Sequence, residues 1–183
     1  MITPARGTLL IANPFLKDPN FMRTVIFICD HQKEGTFGFV LNKQITQTLN
    51  EFIPELENYK IPVFYGGPVQ KNTLHFLHQY PNLIPDGQEV YKNVYWGGNF
   101  ESLIVHIKNN DIDLDKIRFF IGYSGWGDGQ LDDEMGEKSW LTVEALQKII
   151  FHKKAEDVWK DYLEHLGGEY KLMKNFPTDP QLN

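Results

Sequence analysis

Cysteine is almost absent from this chain of 183 residues: only Cys29 is present, so no internal disulfide can staple the fold. That usage fits a reducing compartment. No apolar run approaches the ~18 residues that a membrane-spanning helix needs. The opening residues Met1-Ile2-Thr3-Pro4-Ala5-Arg6-Gly7 lack the charged, apolar and small-residue zones of a signal peptide. The expectation is a soluble cytoplasmic protein with no membrane partner. Basic clusters are missing as well. The longest basic run is Lys153-Lys154, in a chain whose net charge is −6. A nucleic-acid surface should show clustered Lys and Arg, so no direct nucleic-acid partner is expected.

What remains is a composition suited to a packed core, with 42% hydrophobic and 14% aromatic residues. The length fits one domain, read as residues 1–175, with 176–183 expected to be a frayed tail. Apolar or β-branched runs predict strands at 8–12, 24–29, 36–41, 63–65, 73–77, 90–96 and 117–122. The second and third should form a hairpin across the polar link from Asp30 to Gly35, with Gly38 under close approach by a neighbour. Thr48-Leu49-Asn50-Glu51 has the spacing of a capping box. Asn99 should cap a helix over 101–108, and Thr142 one over 143–151. In a last helix near 156–166, Trp159, Tyr162, Leu163 and Leu166 fall on one stripe, closed by Gly167. Strands and helices interleave irregularly, which favours α+β over a doubly wound sheet.

Residues 118–134 carry the densest signal. A strand feeds Gly122, Gly125, Gly127 and Gly129, followed by an acidic helix start. An anion-binding nest is one reading of residues 122–129, but Asp128, Asp132, Asp133 and Glu134 would repel the anion. The other reading is a tight connection in which at least one glycine takes a positive φ. Ser124 sits where a nucleophile elbow would place a serine, yet the second glycine comes one position early. Cys29 and His31 would share a strand face, but a cysteine in an apolar strand is more simply core. Asp111, Asp113 and Asp115 imitate a calcium loop that Lys116 spoils. His75 and His78 have no partner at metal-ligand spacing and read as surface chemistry. The four tryptophans lack the basic groove of a base-stacking platform and read as core and loop anchors.

Four blocks together resemble the YqgE/AlgH family of bacterial proteins. The first runs from Gly7-Thr8-Leu9-Leu10-Ile11-Ala12 through Pro14, Asp18, Phe21, Arg23, Cys29, His31 and Gly38 to Val40-Leu41-Asn42. The second is Tyr65-Gly66-Gly67-Pro68-Val69 with Leu77-His78. The third is Gly122-Tyr123-Ser124, Trp126, Gly129-Gln130-Leu131, Glu134 and Trp140. The fourth is Trp159 with Leu166-Gly167. The resemblance implies an α+β domain whose mixed, strongly bent sheet forms a pseudo-barrel with peripheral helices. It implies no reaction, and it attaches a link to transcriptional control to part of the family.

No residue is assigned a catalytic role, and neither a metal nor a cofactor is expected. Candidate binding residues are Arg23, His31, Asn42, Ser124, Trp126 and Gln130. Gly66, Gly67, Gly122, Gly125, Gly127 and Gly129 are read as structural. The leading expectation is a non-enzymatic binding or regulatory module that acts through a protein partner or a small ligand. A hydrolase using Arg23, His31, Asn42, Ser124 and Gln130 is the alternative, and a transcriptional regulator the third.

Overall fold

Among the described residues, 2–175 of this computed structural model, ten strands make one strongly curled sheet with five α-helices around it. The strands are β1 (Thr8–Ala12), β2 (Val25–Gln32), β3 (Gly35–Val40), β4 (Gln44–Thr48), β5 (Pro62–Tyr65), β6 (Val69–His78), β7 (Gln88–Tyr91), β8 (Val94–Trp96), β9 (Ile117–Gly127) and β10 (Trp140–Glu144). The helices are α1 (Phe100–Lys108), α2 (Gln130–Gly136), α3 (Gln147–Ile150), α4 (Val158–Leu166) and α5 (Gly168–Met173). The expected frayed tail, 176–183, lies outside the described residues.

The main path runs β10-β1-β2-β3-β9-β6-β8-β7, and its pairings are antiparallel. Along the same edge of β9 that pairs with β3, on the stretch Phe119 to Ile121 that β3 does not reach, β5 pairs in parallel and carries β4 with it. The two ends of the path curl toward each other. The Arg6 guanidinium donates to the Glu89 carbonyl, and the Gln147 amide donates to the Lys92 carbonyl. The fold is α+β with a half-barrel sheet, as the irregular interleaving implied.

Three apolar clusters explain the strand sequences. Inside the curl, Leu9, Ile11, Phe27, Phe39 and Phe120 pack against Ile150, Trp159 and Leu163 from the C-terminal helices. Outside it, Leu10, Ile26, Val40 and Trp126 pack against Leu131 of α2 and Trp140, while Phe76 and Phe119 meet Leu103 and Ile107 of α1. Because β1 is covered on both faces, its five residues are all buried, which is why it reads as a continuous apolar run without alternation. The Trp159 indole also donates to the Ala12 carbonyl at 2.9 Å, pinning α4 to β1.

The expected helix caps hold where local chemistry suffices. The Asn99 side chain accepts from Ser102 N at 2.8 Å, and the Thr48–Glu51 box opens a short 3-10 turn. Thr142, expected to cap a helix, instead lies in β10 and is buried. Its strand pairs with β1 over five residues, and that pairing overrides the local preference, so α3 starts only at Gln147. Residues 90–96 form two strands, not one, because the chain reverses at Lys92-Asn93 with Asn93 at φ 59. The supposed loop 122–129 is for the most part strand: β9 continues through Gly127.

Gly122 explains how a strand survives three glycines. It sits at φ +69, opposite a register shift in β6 between Val69 and Leu74. A Cβ at Gly122 would lie 2.6 Å from the Gly67 carbonyl oxygen, and one at Gly67 2.2 Å from the Tyr123 carbonyl carbon. Gly38, expected to be crowded, would place a Cβ 2.2 Å from the Phe27 carbonyl oxygen. Gly127 takes no positive φ and has open space around it. Gly122→Ala should therefore destabilise the protein by more than ~2 kcal/mol, combining the left-handed penalty with the clash. Gly127→Ala should be neutral or stabilising by up to ~1 kcal/mol. Urea midpoints of the two variants check the pair, and equal midpoints would contradict it.

Candidate functional site

The inner face of the curl is filled by α3 and α4 at one end and left open at the other. The open end is a cleft of about 690 Å³ where the β2–β3 hairpin meets β6, β8 and β9. Phe37 of β3 stands opposite Gly125 of β9, whose missing side chain leaves the Tyr123 ring and Val69 uncrowded beside it. Trp96 of β8 meets Phe37 edge-on at 4.8 Å with 61° between planes, and Tyr123 meets it at 6.0 Å and 80°. His75 of β6 closes the group, 6.3 Å from Trp96 and 6.0 Å from Tyr123, with Phe39 beneath it at 5.2 Å. These four rings are half-buried, so their edges and faces stay in reach of a ligand. Asp30, Gln32 and Glu34 from the hairpin form the rim, and no Lys or Arg is among the lining residues.

The electrostatics of the mouth are those of neutral rings beside carboxylates. Burial holds the His75 imidazole below the usual histidine value, and its Nε2 shares a 3.0 Å hydrogen bond with the Thr73 hydroxyl. His75 was expected to be surface chemistry; its half-buried place in this ring cluster corrects that. A smaller polar cleft of about 280 Å³ adjoins the mouth, sharing Gln32, Gly35 and Thr36 and adding His31, Asp128 and Asp132. At the seam, His31 Nδ1 lies 2.6 Å from Thr36 Oγ1, a cross-strand pair of the hairpin.

The six candidate binding residues do not converge. His31 lines the small cleft and Trp126 the edge of the mouth. The Arg23 guanidinium lies 5.2 Å from the Trp159 ring. Asn42 clasps the chain, accepting from Val25 N and donating to Arg23 O, both at 2.8 Å. Ser124 is fully buried and donates to the Gly66 carbonyl at 3.0 Å. Gln130 accepts from Gly127 N and donates to Glu134 Oε1. Glu134 Oε2 accepts from both the Trp126 and Trp140 indoles, at 2.9 and 2.7 Å, while Phe21 packs on both rings. The glycine-rich motif thus ends in a carboxylate clasp between two tryptophans. Sequence reasoning missed Phe37, His75, Trp96 and Tyr123 as a group, because they come from four strands whose pairing no local pattern encodes.

Other chemistry is dispersed. The Cys29 thiol is buried, and desolvation raises its pKa well above the ordinary value. Among the described residues, no three His, Cys, Asp or Glu side chains gather as a metal site. No described helix is long and apolar enough to cross a membrane. The fold does bring Lys116, Lys148, Lys153 and Lys154 around another cleft of about 550 Å³, a concentration of cations that the sequence order conceals. Lys153 is paired with Asp115 there at 2.6 Å.

Two predictions follow from these contacts. Glu134→Ala leaves two indole N–H groups without their acceptor and should cost roughly 2–3 kcal/mol, whereas Glu134→Gln, which keeps a carbonyl oxygen, should cost less; urea denaturation of both variants measures the difference. The second concerns His78, which is buried with Nε2 donating to Gly97 O at 2.8 Å and Nδ1 accepting from Tyr80 N at 3.1 Å. Both bonds suit the neutral ring, and burial lowers its pKa, partly offset by the Gly97 bond. An unfolded chain then binds the proton more readily than the folded one. The stability contribution is present above the unfolded value of ~6.5 and is lost as pH falls below it. Acidifying from about pH 7.5 to about pH 5.5 should lower the urea midpoint. His78→Gln should show a smaller loss over the same interval.

Comparison with known proteins fits this architecture. The model of the family described as DUF179, AlgH-like, matches residues 9–171. A UPF0301 protein of Cytophaga hutchinsonii is 40% identical over 179 residues, covering 97% of this chain and 98% of the relative. Another from Chlorobium limicola is 40% identical over 177 residues, covering 97% and 95%. The solution structure of the AlgH protein from Pseudomonas aeruginosa aligns with a TM-score of 0.74 at 25% identity, over 97% of this chain and 98% of that one. A crystal structure of a Corynebacterium diphtheriae protein gives 0.78 at 22% identity over 96% and 94%, a likeness of fold.

Proposed function

This chain belongs to the AlgH-like family, which has no established reaction, and we propose that it is a non-catalytic binding module whose ligand is a small organic molecule seated in the aromatic mouth of the curled sheet. The observation that carries this reading is the mouth itself. Phe37, His75, Trp96 and Tyr123 line one concave cleft, and a few polar groups stand at its rim. Apolar and aromatic walls with a small set of polar groups are the general anatomy of a ligand site, and barrel mouths are a recurrent place for one. The volume, about 690 Å³, suits a metabolite-sized molecule. Binding there would reach the β2–β3 hairpin directly, giving a regulatory module a way to alter its outer surface when occupied.

The hydroxyl–imidazole contact of Thr36 and His31 favours a second, hydrolytic reading, since a nucleophile beside a base is the first element of covalent catalysis. It is the less supported one. The two residues are ordinary cross-strand neighbours, and among the described residues no hydrogen bond orients the other nitrogen of His31. The other residues that a hydrolase would have drawn on, Arg23, Asn42, Ser124 and Gln130, are engaged in holding the backbone or the ring stack. Direct nucleic-acid binding has only the lysine cleft in its favour, one small patch in a chain of net charge −6.

A two-dimensional NMR screen of small organic molecules tests the binding reading. Ligands should shift Phe37, His75, Trp96 and Tyr123 together. Gly125→Val should abolish those shifts while leaving the chain folded with a modest loss in melting temperature, because Gly125 has no positive φ but its Cβ would already stand 3.2 Å from the Tyr123 ring, beside Val69 in the mouth. Ligands that perturb only the lysine cleft, or that bind the Gly125→Val variant equally well, would overturn it.

A further inference from the structure

Resting on the mouth as a ligand site, we infer that the group it receives is an organic cation, an alkyl- or methyl-substituted ammonium carried by a small molecule. The arrangement of the rings comes first. Trp96 and Tyr123 pack edge-on against Phe37, at 61° and 80°, so the rings that line the cleft are inclined to one another and do not make a parallel-sided slot. A slot between parallel faces would select a flat aromatic ligand, whereas inclined walls suit a compact, rounded head group. Aromatic faces carry the negative part of the ring quadrupole, and an ammonium softened by alkyl substituents is the group such walls attract.

Charge complementarity points the same way. Asp30 and Glu34 stand on the rim, and no lysine or arginine lines the cleft to answer an anion. His75, the one lining side chain that could become cationic, is held toward its neutral form by burial. An anionic ligand would meet two carboxylates, while Lys33, the cation of the same hairpin, lines the adjoining cleft instead. Asp30 accepts from the Gln32 amide at 3.2 Å, and the Glu34 carboxylate beside it is exposed, so a neutral apolar ligand would gain nothing from the rim's charge. Gln32 and Thr36 offer polar contacts to the rest of the molecule, for which the cleft has room beyond an ammonium head.

The test compares choline with its neutral carbon isostere, 3,3-dimethylbutan-1-ol, at constant ionic strength, read by tryptophan fluorescence and by NMR shifts of the mouth residues. Choline should bind at least about fivefold more tightly, the ratio that ~1 kcal/mol of cation–π attraction corresponds to. The double variant Asp30→Asn/Glu34→Gln should weaken choline several-fold and leave the isostere unchanged. Equal binding of choline and isostere overturns the cation inference while the mouth stands as an apolar ligand site. A neutral or anionic molecule from the wider screen that occupies the mouth when choline does not has the same consequence. If neither probe nor any screened molecule perturbs the four rings, the inference and the binding reading fall together.

Discussion

Two backbones cross at Gly66-Gly67 and Gly122-Tyr123, and the rest of the molecule is arranged around that contact. The Gly66 carbonyl accepts from Val40 N at 2.9 Å and from the Ser124 hydroxyl at 3.0 Å, while Gly66 N donates to the Ile121 carbonyl. The exit of β5 is thereby tied to β3 and β9 at once. No side chain fits at the crossing, because a Cβ at Gly66 would lie 2.2 Å from the Gly122 carbonyl oxygen. The left-handed turn at Gly122 also changes which face β9 shows. In a regular strand, residues two apart share a face. Here Phe120 and Tyr123, three apart, both pack on the inner cluster, while Ser124 and Trp126 turn outward. The same irregularity that lets the strands cross therefore aims Tyr123 into the mouth.

A second constraint lies below the crossing. Arg118 opens β9 from a buried position, donating to the carbonyls of Leu41 and His152 with its guanidinium 4.4 Å from the Phe64 ring. Among the described residues no carboxylate is paired with it. Burial pulls its pKa down to about 10, which still leaves it charged at neutral pH. A buried charge held only by carbonyl dipoles and a ring face is costly, and removing those acceptors would cost more. Arg118 thus fixes the end of β3 and the segment after α3 relative to β9. This seats α3 and α4 over the far end of the curl, away from the mouth.

What could be read from the sequence was whatever short-range chemistry decides. β1 was legible because five apolar residues in a row need two covered faces, and α1 because Asn99 caps it through its own side chain. The α4 stripe was legible because Trp159, Tyr162 and Leu163 repeat at helical spacing. Thr142 misled because a capping residue and a strand residue look alike until β1 is seen beside it. Gly122 to Gly127 misled because glycine signals a loop, whereas here it signals a crossing within a strand. The motif blocks Tyr65-Gly66-Gly67 and Gly122-Tyr123-Ser124 could each be recognised, but nothing local says that they touch. The mouth was hidden for the same reason: its rings come from β3, β6, β8 and β9, and its geometry depends on a face reversal at one glycine.

The openness of that end is itself an argument about use. Fully burying a large apolar side chain contributes about 1.5–3 kcal/mol, so a chain shaped by stability alone gains by covering half-exposed rings or replacing them with polar residues. Here the opposite end of the same curl is covered, with Trp159 and Leu163 buried beneath α4, so the fold has the means to close a sheet end. At the mouth, three of the lining aromatics stay half-buried, Gly125 carries no side chain to cover them, and the carboxylates of Asp30 and Glu34 stand at the rim. Half-buried aromatic clusters of this kind leave apolar surface that further contact could still cover. The stabilisation that fuller burial would give is therefore not realised at this end of the curl.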